Sequence, residues 1–228
     1  MQTIQKVIAI GDSFLAGAEL RSPALTWPAL FANESKLDYQ CLARSGHSIE
    51  FVLRTLLESL HRETEPCFFV LHWPSAMRFE YVDKQNDTWV QINPNNILFG
   101  NDSSETVKKI YYQHVNSLLG DKWRALSTIF SAVLALKQTN HVYVMTTVDD
   151  FLFETEFHNP PYIEYLQKQC RSEIKDFNGL PFHQWADKNN FPKGPHGHPL
   201  ESAHRAAFEF TKPLYQQILN ISNVESLP

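Results

Sequence analysis

The chain is poor in cysteine, has no long apolar run and carries no excess of basic charge. Each shortage removes a class of protein. Three cysteines in 228 residues, Cys41, Cys67 and Cys170, are odd in number and widely spaced. They make neither a disulfide frame nor a zinc knuckle and read as reduced thiols, Cys41 and Cys67 within apolar strand-like segments. No stretch approaches the roughly 18 apolar residues that span a bilayer. The opening residues, Met1 to Ile10, hold too short an apolar part and no small-residue cleavage site for a signal peptide. A soluble, cytoplasmic protein with no membrane contact is expected. The formal charge of -5 gives no basic stripe, which argues against a nucleic-acid partner. No repeat of 20–50 residues and no linker divides the chain, so residues 1–228 read as one domain.

What is present is an ordinary globular mixture, 43% hydrophobic and 20% charged, with sixteen Phe and five Trp for a core or a greasy cleft. Val7 to Ile10 is a short β-branched run that stops at Gly11, the pattern of a buried parallel strand entering a tight turn. Tyr39 to Ala43, Cys67 to Leu71 and His141 to Met145 read as three more strands. Helical spacing marks Trp27 to Lys36, His47 to Arg62, Pro161 to Asp176 and Glu201 to Leu219. In the His47–Arg62 segment the expected apolar face is Ile49, Val52, Leu53, Leu56, Leu57 and Leu60. Glu105 to Lys137 reads as one or two helices with a break at Gly120-Asp121. The Asn-rich stretch at about 76–102, with a β-like Trp89 to Ile92 piece, reads as an insertion or lid. Alternating strands and helices predict an α/β fold of three layers, α/β/α, around a central parallel sheet. The site then lies beyond the carboxyl ends of the strands.

Two segments carry chemistry. Gly11-Asp12-Ser13-Phe14 follows the first strand directly, so Ser13 sits on a strand-to-helix turn with its own N–H available to an oxyanion. The alternative is that Asp12 and Ser13 only cap a helix. His198 lies in Pro195-His196-Gly197-His198-Pro199, and Pro199 keeps it out of the helix that follows. His196, His198 and His204 could together hold zinc, but no Cys or carboxylate accompanies them in a zinc spacing, so no metal is expected. His72 and the remaining histidines read as structural.

A Gly-Asp-Ser block after strand one, paired with a His-Pro block before the last helix, resembles the GDSL/SGNH hydrolase family. The resemblance implies a flavodoxin-like SGNH-hydrolase fold, a nucleophile at Ser13, a base at His198, no cofactor, and an ester substrate that is a small molecule or a carbohydrate. It makes Gly46, in Leu42 to Ser48, the match to the family's second block and the second oxyanion donor beside the Ser13 N–H. Two blocks depart from the family. Trp73-Pro74-Ser75 stands where Gly-x-Asn-Asp is usual, which puts Ser75 in the place of the Asn donor. The Asp that normally shortly precedes the His is absent. A backbone carbonyl, Asp12, His196 or, less readily, Glu201 is left to orient His198. The implied reaction is hydrolysis of small acyl esters through an acyl-enzyme. Transfer of the acyl group to a sugar hydroxyl, or an SGNH fold that binds without turnover, are the alternatives. An unrelated phosphate-binding flavodoxin-like protein is a further one, although the Gly11 turn lacks a Gly- and Ser/Thr-rich cradle.

Overall fold

The structure, a computed structural model, describes residues 4–94, 103–148, 150–155 and 159–224. Its centre is a four-stranded parallel sheet of β1 (Lys6–Ile10), β2 (Asp38–Cys41), β3 (Phe68–Trp73) and β6 (Val142–Thr147), in the spatial order β2-β1-β3-β6. Three of the strands, β1, β3 and β6, were legible as β-branched or aromatic runs, while β2, Asp-Tyr-Gln-Cys at the sheet edge, carries only one such residue. Parallel pairing sets Val7 opposite both Tyr39 and Phe68, and Phe68 opposite Val142. Side chains of a strand alternate between faces, so each strand feeds two cores. Ile8, Ile10, Phe69, Leu71 and Trp73 face one, where they meet α3 (Ile49–Arg62), α5 (Leu118–Leu136) and α6 (Pro161–Arg171). Val7, Ala9, Phe68 and Val70 face the other, against α2 (Trp27–Glu34), α7 (Phe182–Lys188) and α8 (Glu201–Val224). This is the expected α/β/α layering.

Local departures from the sequence reading have physical causes. In α3 the buried residues are Ile49, Phe51, Val52, Thr55, Leu56 and Ser59, whereas Leu57 is 48% exposed. Phe51 joins the buried face and Leu53 and Leu60 still pack against it, so Leu57 alone of the expected face points outward. The Glu105–Lys137 region does not break at Gly120. Helix α4 (Ser103–Ile110) runs into a single π turn, Tyr111–Val115, and the chain turns extended at Asn116. Ser117 then caps α5 by accepting from the Gly120 N–H at 3.1 Å, which leaves Gly120 inside the first turn. Cys67 and Cys170 are buried, while Cys41, at the sheet edge, is only partly covered. All three are free thiols.

The stretch read as an insertion or lid contains an antiparallel hairpin, β4 (Phe79–Asp83) and β5 (Thr88–Ile92). Residues 95–102 of that stretch lie outside those described. Glu80 anchors the hairpin to α3. It is 4% exposed, accepts from the Ser48 N–H at 3.2 Å and pairs with Arg54 at 3.0 Å. Arg54 in turn stacks 3.9 Å above the Trp89 ring. Among the described residues no helix is long and apolar enough to cross a membrane.

Candidate active site

Beyond the carboxyl ends of the strands lies a cleft of about 680 Å³. The residues of all four sequence blocks line it: Ser13, Gly46, Ser75, and His196 with His198. This convergence follows from topology, because Ser13 follows β1, Gly46 follows β2, Ser75 follows β3, and the His loop precedes α8.

Ser13 opens α1 (Ser13–Ala16) and is 4% exposed. Asp12 does cap this turn, with its Oδ1 accepting from the Phe14 N–H at 3.1 Å. Its Oδ2 takes Arg78 Nη1 at 2.8 Å, and Asp12 is fully buried. Both oxygens are therefore occupied, and Asp12 is not a partner of His198. Arg78 also donates to the His47 carbonyl at 3.3 Å, which ties the Ser13 turn to the Gly46 loop. Gly46 has φ +79°, a left-handed conformation that costs glycine little. Among the described residues, no carbonyl or carboxylate takes the N–H of Ser13 or of Gly46. Ser75, half-buried, faces the same space.

The residue that sequence reading missed is Glu19. Its Oε2 meets His198 Nδ1 at 2.7 Å and accepts from the His198 N–H at 3.1 Å, while Oε1 accepts from the His196 N–H at 2.9 Å. The role left open for His196 thus reduces to its backbone, which steadies the carboxylate rather than the ring. Glu201, another candidate, instead accepts from the Arg21 N–H at 3.1 Å. Burial pushes the Glu19 carboxyl up, but the two N–H donors and the His198 ring outweigh it and hold the group below its ordinary value. Glu19 is ionised at neutral pH and can only accept, so Nδ1 of His198 carries a hydrogen and a neutral ring leaves Nε2 as an acceptor.

Local geometry makes this contact possible. The chain reverses after α1 through Gly17, and Glu19 itself adopts a left-handed φ of +66°. The His loop is closed by Gly194 N–H to the His198 carbonyl and Gly197 N–H to the Gly194 carbonyl, both 2.9 Å. A Cβ on Gly194 would come within 2.6 Å of the Glu19 carboxyl carbon, so only glycine admits the side chain there. Glu19 and His198 lie 179 positions apart, and no local motif announces them.

The Phe14 ring forms the support of the cleft, 5.4 Å from His198, 5.7 Å from His72 and 5.9 Å from His183. His183 lines the cleft, with burial and Lys193 lowering its pKa. His72 lies behind, wholly buried, its Nδ1 on Thr146 Oγ1 at 2.7 Å. His204 is buried too, stacked on Trp27, and so stands apart from the His196–His198 loop in role. From the hairpin, Gln91 and Asn93 complete the wall.

No family model matches the chain, and no curated protein matches it. Solved structures do. A lipolytic protein of the G-D-S-L family from Veillonella parvula superposes with a TM-score of 0.52 at 12% identity, over 92% of this chain and 98% of that one. The psychrotrophic esterase EstA from Pseudoalteromonas gives 0.52 at 11%, over 95% and 99%. An acetyl xylan esterase from Butyrivibrio proteoclasticus gives 0.51 at 11%, over 96% of this chain and 64% of that one. Sheet order, the block residues at the strand ends and these superpositions agree, and the chain has the fold of the GDSL/SGNH hydrolases.

Proposed function

We propose that the protein is a serine ester hydrolase with Ser13 as nucleophile, His198 as general base and Glu19 as the acid that orients and stabilises the imidazole. The observation that carries this reading is the Glu19–His198 hydrogen bond at the rim of the cleft that Ser13 lines. It supplies the acid whose absence from the last block favoured a binding protein without turnover.

In this reaction His198 Nε2 takes the Ser13 hydroxyl proton as Oγ attacks the ester carbonyl carbon. The oxyanion is held by the N–H groups of Ser13 and Gly46, with the Ser75 hydroxyl as a third donor. The C–O bond then breaks, Nε2–H returns the proton to the departing alcohol, and an acyl-Ser13 remains. Water, deprotonated by the same nitrogen, releases the acid and restores the serine. Glu19 stays ionised and favours the imidazolium at each proton transfer. The exposed rim at Ser45 and His196 admits water, which favours hydrolysis over acyl transfer. Small acyl groups such as acetyl fit this reading. The solved structures of the same fold that are carbohydrate esterases support a sugar ester as substrate. The β4–β5 hairpin, which brings Gln91 and Asn93 to the cleft, acts as its lid.

The test is hydrolysis of p-nitrophenyl acetate by wild type, Ser13→Ala and His198→Ala. Turnover in the wild type and a loss on the order of 10⁴-fold or more in each folded variant is expected. Equal rates in all three would overturn the proposal.

A further inference from the structure

A second cleft of about 610 Å³ lies across the Ser45–Gly46 loop from the first. Arg44, His47, Phe51, Arg54, Arg62 and Trp89 line it. The two clefts share one wall. Within residues 44–47, Ser45 and Gly46 face the active-site cleft while Arg44 and His47 face the second. On β5, Trp89 and Gln91 project from the same face, one into each cleft.

The second cleft is basic and aromatic in a chain of net charge -5. Three guanidiniums line it against one carboxylate, Glu58. Arg54 is already neutralised by buried Glu80. Arg62 meets Glu58 only at 3.9 Å, with both side chains more than half exposed, a contact that water screens heavily. Arg44 is exposed, and among the described residues no carboxylate pairs with it. Its guanidinium stands 5.8 Å from the Phe51 ring. Trp89, steadied by Arg54 at 3.9 Å, is still 51% exposed. A half-exposed indole, in a cleft that also holds the unpaired guanidinium of Arg44, suits a ring with an anionic substituent. A sugar lies against the aromatic face, and its anion meets the fork of an arginine.

We propose that this cleft binds the alcohol portion of the substrate and that this portion is an acidic sugar, one bearing a carboxylate or a phosphate. The inference rests on the ester-hydrolase reading for its place in a reaction, but the binding itself does not. Arg44 is the principal anion-binding residue, with Arg62 in support, and Trp89 provides the stacking surface.

The test uses full-length Ser13→Ala protein, titrated calorimetrically with methyl glucuronide, glucose 6-phosphate and neutral methyl glucoside at low salt. At least one anionic sugar binds roughly tenfold more tightly than the glucoside. Arg44→Glu removes that preference while keeping the parent melting temperature, because the exposed side chain makes no ion pair in the fold, and Arg44→Lys restores part of it. The stronger of the two anionic ligands identifies the anion. Equal affinity for all three sugars, or a preference that survives Arg44→Glu, overturns the proposal. A preference that Arg44→Glu abolishes, together with no reaction of Ser13 in the wild-type protein with a fluorophosphonate, upholds the cleft and instead overturns the hydrolase reading.

Discussion

In the proposed reaction, Glu19 is where a single residue alters the chemistry most. Its carboxylate is held by two backbone N–H groups before it meets His198, so its position does not depend on the ring it orients. Replacing it with Gln keeps the shape but removes the charge that stabilises an imidazolium, and it lets the ring settle in the wrong tautomer. Glu19→Gln is expected to lower kcat for p-nitrophenyl acetate by on the order of 10³–10⁴-fold with little change in KM. A change in KM alone would show that Glu19 only shapes the loop. That Ser13, Gly46, Ser75 and His198 would meet at one cleft was legible in the sequence, because each sits just beyond a strand or just before the last helix, where a run of apolar residues or a proline marks the edge. Glu19 was not, because it is brought to His198 by the left-handed turn at Gly17 and by the gap at Gly194, both properties of backbone geometry rather than of spacing.

Among the elements, the β4–β5 hairpin matters most to the site. It hangs on Glu80, which satisfies the buried Ser48 N–H at the start of α3 and neutralises Arg54. The same helix start follows the Gly46 loop, so hairpin and Gly46 loop share one anchor. Glu80→Ala strands a partly buried guanidinium and a buried N–H. It is expected to cost about 3 kcal/mol of stability, read as a fall in melting temperature, and to reduce ester turnover as the Gly46 loop loosens. An unchanged melting temperature would contradict this anchoring. The strands and longer helices could be read from hydrophobic period because burial on one or both faces imposes it. Helix α7 went unread because its seven residues complete too few turns to establish a period. The break before α5 was misplaced because a capping serine, not the glycine, sets the helix start.

At the scale of the whole molecule, the aromatic core behind the site holds two histidines neutral. Burial lowers His72 to about 4 and His204 to about 3. Both values lie below the ordinary 6.5, so the unfolded chain takes up these protons first. The stability that neutral rings contribute is complete above about pH 6.5 and is lost as pH falls from there toward 4. At pH 5 the loss is about 2 kcal/mol per ring, and the melting temperature should fall by roughly 10 °C between about pH 7 and pH 5. His204→Phe, which preserves the stack on Trp27, should flatten that dependence, and parallel curves for variant and wild type would contradict the assignment.

The central claim is that the fold presents Ser13 as an activated nucleophile. It is tested most directly by treating the wild-type protein at neutral pH with a fluorophosphonate and mapping the adduct by mass spectrometry. One adduct is expected, on Ser13, and it is lost in His198→Ala. A folded protein that forms no adduct on Ser13 would contradict it.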